Sequence, residues 1–366
     1  ANKNLTNAKR AKNDEFYTQY GDIQKEIEAY LEYNPDVFRN KVVYCNCDDP
    51  FESNFFRYFV LNFNKLGLKQ LITTSYKPSP VANTQLTLFG DDKTLTKSKG
   101  LPAGRHGRPK INANKFIINE VADIDDDGEF NLKDIAKQLK ANKHNEWMPL
   151  EGDGDFRSDE CINLLKQSDI VITNPPFSLF RQYLKQLVEY EKKFLIIGNM
   201  NAITYKEVFP LIKDNKMWLG NGFHAGNAYF FTPNMRDFAS GVYDEKTGLV
   251  KFRNVCWFTN IDHGRRHQPL KQMTMEENLK YSKHKEIKGK KSYDKYDNYD
   301  AIEVPFTDSI PSDYDGVMGV PISFLDKYNP EQFEIVKFRH GDDEKDLRLK
   351  DGICPYFRVL IKHKKK

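Results

Sequence analysis

Cysteine is scarce: there are five in 366 residues, Cys45, Cys47, Cys161, Cys256 and Cys354, with no repeated C-x-x-C pairing. That argues against a disulfide framework or a cysteine zinc cage and fits a reducing cytoplasm. Long apolar runs are missing, since no stretch approaches the roughly 20 residues of a membrane span. The opening ANKNLTNAKRAKNDEF has no apolar core of a secretory signal. The expectation is a soluble intracellular protein with no membrane partner. An excess of one charge is missing too: 56 Lys and Arg against 52 Asp and Glu leave a formal net charge of +4, too balanced to prove a polyanionic partner. No internal repeat is visible.

What is present is more specific. With 39% hydrophobic residues a sizeable core is available, and 366 residues exceed one average domain, so a large catalytic domain with a smaller appendage is expected. The charge is unevenly spread. From His263 to Lys291 there are nine Lys and Arg against three Glu, followed by Tyr293, Tyr296 and Tyr299. Such a run is commonly a solvated face, but basic residues beside aromatics also suit phosphate contact and base stacking.

Apolar periodicity predicts a helix over 21–33, with Ile23, Ile27 and Tyr30 on one face. KVVYCNC (41–47), KQLITTSY (69–76), KFIINEV (115–121), DIVIT (169–173) and KFLIIGN (193–199) read as strands, with helical patterns between several of them. Ser53 is placed to cap an apolar helix, SNFFRYFVLNF. This alternation predicts an α/β fold with a doubly wound, mainly parallel sheet. AYFFTP, VKFRNVCWFTN and EQFEIVKF alternate more like antiparallel strands. The polar stretch 77–112 reads as a mobile surface insertion. A boundary is expected near Asp262, giving an N-terminal helical segment 1–40, a catalytic domain 41–261 and a C-terminal region 262–366.

The stretch DIVITNPPFSLF (169–180) carries the chemistry. Prolines cannot continue a ladder, so the strand must end at Asn174. Ser178 is expected to cap the next helix, whose buried face would be Leu179, Tyr183 and Leu187. The loop Asn174-Pro175-Pro176-Phe177 then lies at the carboxyl end of a strand, where open α/β sheets put their chemistry. The lone pair of an exocyclic base amine is delocalised into its ring. Two acceptors aimed at its N–H bonds, the Asn174 side-chain oxygen and the Pro175 carbonyl, free that lone pair toward an electrophile. Phe177 can stack on the base, worth about 1–3 kcal/mol, which offsets part of the cost of flipping it from a duplex. The plainer alternative is a strand-ending turn in which the prolines only break structure.

At this point the sequence resembles the EcoRI-type adenine-specific DNA methyltransferases. The resemblance is carried by KNDEFYTQYGDI (12–23), VVYCNCDDP (42–50), GDFRSDECINLLKQSDIVITNPPFSLFRQY (154–183), FLIIGNMNAITYKEVFPLI (194–212), WFTNIDHGRRH (257–267) and PISFLDKYNPEQFEIV (321–336). It covers most of the chain apart from 77–112. It implies a Rossmann-like, S-adenosylmethionine-dependent enzyme that methylates the N6 amine of adenine in a short duplex sequence and releases S-adenosylhomocysteine. The motif order is similar to the gamma arrangement of such enzymes, with a C-terminal DNA-recognition region. Double-stranded DNA is the implied partner. A monomer is expected, with a cognate restriction endonuclease that shares the site without being bound.

The resemblance also assigns cofactor contacts. Phe16, Tyr17 and Thr18 match the motif that closes over the methionine end, although by composition they are equally an aromatic pair packed ahead of a helix. Asn46, Asp48 and Asp49 follow the first strand, where the usual Gly-rich turn is absent; one of the two aspartates is the expected partner of the ammonium, and a capped acidic turn is the alternative. Asp155 would accept from the cofactor's adenine amine, with Phe156 against the ring. At the end of the second strand Thr74, Ser75 and Tyr76 stand where an acid for the ribose is usual, so ribose recognition is unassigned.

Weaker signals remain. DIDDDGEFNLKD (123–134) matches a calcium-loop pattern, but Asp134 replaces the bidentate Glu and a strand precedes it, so an acidic capping turn is preferred and no metal is assigned. Arg105 and Arg108 in RHGRPK suit a narrow minor groove or a solvated loop. Phe223 could supply the second face of a base sandwich, though core packing is favoured. Arg265, Arg266 and His267 are candidate DNA contacts. Two other functions stay in view: the same chemistry on RNA or a protein glutamine, and a DNA-binding module without catalysis.

Overall fold

The computed structural model describes residues 16–47, 53–76, 84–85, 96–97, 113–122, 144–223, 227–231 and 241–364. The chain divides into two compact units: residues 1–200 with 222–261, and residues 201–221 with 262–366. Segment 201–221 therefore groups with the C-terminal residues, although by position it falls inside 41–261.

In its first 200 residues the first unit contains β1 (Tyr17–Thr18), β2 (Val42–Cys45), β3 (Gln70–Thr74), β4 (Thr84–Gln85), β5 (Thr96–Lys97), β6 (Asn114–Ile118), β7 (Glu146–Pro149), β8 (Ile170–Thr173) and β9 (Lys193–Asn199). Its helices are α1 (Tyr20–Tyr33), α2 (Asn54–Leu61), α3 (Phe63–Leu66), α4 (Asp159–Gln167) and α5 (Phe180–Glu189). Ile23, Ile27 and Tyr30 of α1 are fully buried, as their spacing predicts. Ser53 caps α2, its hydroxyl accepting the Phe55 N–H at 3.1 Å.

The main sheet of this unit runs β7, β6, β3, β2, β8, β9 and then Val255–Thr259. β3, β2, β8 and β9 are mutually parallel. β6 against β3, β7 against β6 and Val255–Thr259 against β9 are antiparallel. The expected mainly parallel sheet is therefore a parallel centre with antiparallel flanks. Burial explains the error: β2 and β8 are buried at every position, whereas β6 alternates buried and half-buried residues, the pattern of a strand packed on one face. A short apolar run carries no record of its direction. Asp169 sets the central register, its carboxylate accepting the Val42 N–H at 2.7 Å. From β2 the chain winds to β3 on one side, and from β8 it winds to β9 on the other. The carboxyl ends of β2 and β8 thus lie side by side where the strand order reverses.

A second sheet in the same unit orders β1, Asn227–Phe231, Leu249–Arg253 and Tyr243–Asp244, all antiparallel. The second unit carries its own mixed sheet: Ala301–Glu303 runs parallel to Val317–Pro321, which is followed by antiparallel Arg358–His363 and Phe333–Phe338. Helix Met275–Tyr281 of that unit starts with a capping box between Thr274 and Glu277. Among the described residues no helix is long and apolar enough to cross a membrane.

Candidate active site

β8 ends as the sequence predicts, but Ser178 does not cap the following helix. The Pro176 carbonyl accepts the Leu179 N–H at 2.9 Å and closes a 3-10 turn over Phe177–Leu179, so α5 begins at Phe180 with no side-chain cap. The prolines thus tighten the loop into the helix rather than ending it at a polar cap. Leu179, Tyr183 and Leu187 are buried as expected, together with Phe180 and Leu184.

Asn174 is the distinctive member of the loop. Its Nδ2 donates to the Phe16 carbonyl at 2.6 Å, while its Oδ1 is buried and has no hydrogen-bond partner among the described residues. A buried acceptor left unmade costs about 1–3 kcal/mol, so its persistence needs a reason. Phe177 is half-buried within an aromatic cluster. Its ring centroid lies 6.4 Å from Phe16 in a stacked arrangement, and 6.4 and 6.1 Å from Phe230 and Phe252, edge to face. The structure therefore brings Phe16 and Asn174, far apart in sequence, into direct contact.

Asn46 sits at the end of β2 and is buried. Its carbonyl accepts from the Thr173 hydroxyl and its Oδ1 from the Tyr183 hydroxyl, so β8 and α5 both hold it. Cys47 follows with φ of +63°, a left-handed backbone for a residue with a side chain. The turn that lacks glycine is thus made by a strained cysteine, a state that costs of order 1–3 kcal/mol and is typical of functional sites. Asp48 and Asp49 lie outside the described residues. Thr18 is buried, and its Oγ1 has no partner among the described residues. Thr74 and Ser75, the residues in place of a ribose acid, are absorbed structurally. The Thr74 hydroxyl lies 3.0 Å from the Tyr44 hydroxyl, and Ser75 Oγ accepts the Asn114 N–H at 2.9 Å.

Asp155 and Phe156 are delivered by a loop that closes against the end of β3. Gly154, with φ of +76°, makes this possible: a Cβ there would lie 2.0 Å from the Ser75 carbonyl oxygen. Asp155 Oδ1 accepts from Arg157 Nε at 2.9 Å and Oδ2 from Nη2 at 2.6 Å. Burial alone would raise the Asp155 pKa, but the hydrogen bonds and charge of Arg157 outweigh it and hold the carboxyl below its usual range. The paired carboxylate keeps lone pairs for a further donor. Phe156 is buried edge-on against Tyr183 at 5.0 Å. Arg157→Met should raise the Asp155 pKa. The sign follows from the depressed value: the pair contributes stability above the unfolded carboxyl pKa and loses it as pH falls through the folded one. A carboxyl carbon titration by NMR that leaves the Asp155 midpoint unmoved would contradict this.

The candidate DNA contacts fare differently. Phe223 is buried, its face stacked on Trp257 at 5.4 Å and 13°, so the ring that could have sandwiched a base is taken by the core. Its turn is tied down by Glu26, a buried acid that accepts the Gly222 N–H at 2.9 Å. In the second unit, Arg265 donates to the Asn221 carbonyl and pairs with Asp326. Arg266 lies over the Trp218 ring at 3.8 Å, bonded to Asn215 and, at 3.3 Å, to Asp262. His267 bonds Asp262 at 2.9 Å and Glu331 at 3.2 Å. All three are engaged within the unit, while Lys271, Lys280, Lys283, Lys285, Lys288, Lys290 and Lys291 are exposed, Lys283 pairing with Asp308 and Lys290 with Asp294. Arg105 and Arg108, and the calcium-like loop 123–134, lie outside the described residues. No metal-binding cluster occurs among the described residues. Gly154, Arg157 and Cys47 adjoin the site without having been read as site residues, and Tyr183, which holds Asn46, was read only as a buried helix position. Only the GDF string around Gly154 offered a signal.

The class of protein is given by the comparisons, which point to the adenine-specific methyltransferases. A family model described as "Adenine-specific methyltransferase EcoRI" matches residues 4–364. Type II methyltransferase M.EcoRI of Escherichia coli is 46% identical over 100% of this chain and 97% of its own length. M.MpnI of Mycoplasma pneumoniae is 32% identical over 98% and 97%, respectively, and M.MgeORF184P of Mycoplasma genitalium 33% identical over 97% of each. The chain belongs to the EcoRI family of adenine-specific methyltransferases. Its activity is methyl transfer to adenine in DNA. No solved structure matches it.

Proposed function

We propose that this protein flips an adenine out of a short duplex sequence and methylates its N6 amine, using S-adenosylmethionine, as the modification partner of a restriction endonuclease. The observation that carries this reading is the buried Asn174 Oδ1, without a partner among the described residues, at the carboxyl end of β8. It accepts one N–H of the target amine and the Pro175 carbonyl accepts the other, favouring pyramidal nitrogen. Phe177 stacks on the flipped base. The prolines, with the Pro176 turn, keep the two acceptors aimed.

The residues around β2 and β3 fit the cofactor. Thr18 has a buried hydroxyl with no partner among the described residues, Asp155 is held ionised with lone pairs to spare, and Phe156 offers an apolar ring. When bound, S-adenosylmethionine supplies the methyl group on a sulfonium. Asp155 accepts from its adenine amine, and Phe16, Tyr17, Thr18 and Asn46, with Asp48 and Asp49, hold its methionine end. The parallel centre of the main sheet is the Rossmann-like core of this site, and residues 262–366 are the recognition region. Duplex phosphates fall to the exposed lysines between Lys271 and Lys291, and Arg265, Arg266 and His267 shape the turn that leads into them. The enzyme acts as a monomer and shares its sequence with the endonuclease without binding it.

The test is transfer of labelled methyl to unmethylated duplex DNA, followed by nucleoside analysis. N6-methyladenine at one recurring sequence is expected, with DNA affinity falling steeply as salt rises. Transfer to RNA or to a protein glutamine instead, with none to diverse duplexes, would overturn the DNA assignment.

A further inference from the structure

The amide of Asn174 has two ends, and the chain decides which one faces the target. A backbone carbonyl can only accept, so the 2.6 Å contact with the Phe16 carbonyl turns Nδ2 toward residue 16 and leaves Oδ1 as the buried atom without a partner among the described residues. Two residues on, the Thr18 carbonyl accepts from Asn54 Nδ2 at 2.7 Å, and Asn54 is the first residue of α2. β1 is thus tied at one end to the loop after β8 and at the other to the helix after β2. Its pairing of Tyr17 with Phe231 and Thr18 with Phe230 holds it in register between those ties. Phe16 is buried, its ring 4.6 Å from Phe252 at 71°.

From this juxtaposition we propose that β1 is a positioning strap: the Phe16 carbonyl selects the Asn174 amide orientation that presents Oδ1 to the target amine, and Asn54 keeps the strap in place. The inference rests on Asn174 being the acceptor. Phe16 and Asn54 touch no reacting atom and act through Asn174. It follows that Asn and Asp are not interchangeable at position 174. A carboxylate would offer the substrate an acceptor at least as strong, but its other oxygen would face the Phe16 carbonyl, two acceptors with no proton between them. The carboxylate turns away, and the aimed oxygen is lost.

Single-turnover methylation rates and dissociation constants for DNA and S-adenosylmethionine, measured on the full chain, test this. Asn174→Asp is expected to be as slow as Asn174→Ala, about 100-fold below wild type, with DNA affinity little changed. Asn54→Leu should slow transfer by about tenfold through misaimed Asn174, again without weakening DNA binding. In protein labelled with 15N-asparagine, the Asn174 side-chain amide protons should exchange slowly in wild type and faster in Asn54→Leu. Asn174→Asp at the wild-type rate while Asn174→Ala is slow would overturn the strap, as would unchanged rate and exchange in Asn54→Leu. Asn174→Ala at the wild-type rate would overturn the acceptor reading instead. The Asp variant keeps the question open to refutation even if Asn54→Leu fails to fold.

Discussion

Asn174→Ala should lower the rate of methyl transfer by about two to three orders of magnitude, the usual cost of deleting one preorganised polar partner of a transition state, roughly 2.7–4 kcal/mol. Binding of DNA and of the methyl donor should change little, because the acceptor matters most as the amine pyramidalises. Among the described residues Oδ1 is buried without a partner, so removing it relieves a penalty, while the Nδ2 hydrogen bond to the Phe16 carbonyl is lost. The relieved penalty, on the order of 1–3 kcal/mol, opposes the loss of one hydrogen bond, and the urea midpoint should stay near that of wild type. A large fall in stability with the transfer rate intact would mean that Asn174 serves the fold and not the reaction.

Gly154→Ala should damage both the fold and cofactor affinity. The added methyl would sit 2.0 Å from the Ser75 carbonyl oxygen and 2.9 Å from Ala113 Cβ, on a backbone whose φ of +76° already excludes most side chains. The left-handed strain costs about 1–2 kcal/mol, and the clash is with backbone, which cannot swing aside as a side chain could. Relief requires the loop to lift from β3, carrying Asp155 and Phe156 with it. A destabilisation of roughly 2–4 kcal/mol in urea should accompany a loss of about tenfold or more in affinity for S-adenosylmethionine. Wild-type affinity in a folded Gly154→Ala protein would detach this loop from the cofactor site.

Much of the Asn174–Phe177 loop could be read from the chain because proline has one meaning in a strand: it ends it. The buried faces of α1 and α5 were legible for a similar reason, since period and burial coincide at Ile23, Ile27 and Tyr30, and at Leu179, Tyr183 and Leu187. Direction was not legible. KFIINEV has the composition of a central strand, but its alternating burial belongs to an antiparallel flank. Ser178 looked like a cap because local propensity says nothing of a carbonyl at Pro176 that closes the turn first. The intramolecular partners of Arg265, Arg266 and His267 were not legible either, since Asp326, Asn215 and Glu331 lie tens of residues away. Phe223 disappears into Trp257 for the same reason. The absent Gly-rich turn was noticed, but that Cys47 would take the left-handed backbone in its place is visible only in the fold.

The ladder that joins Tyr17 to Phe231 also bears on how the protein is made. β1 precedes the parallel centre of the sheet along the chain, yet its partner strand emerges only after that whole centre has been synthesised. A nascent chain can therefore gather β2, β3, β8 and β9 into a core while its leading segment still lacks the strand it pairs with, and closure of so distant a contact comes late. A chain cut short before Asn227–Phe231 would therefore carry the parallel centre but lack the strand that holds β1 in register.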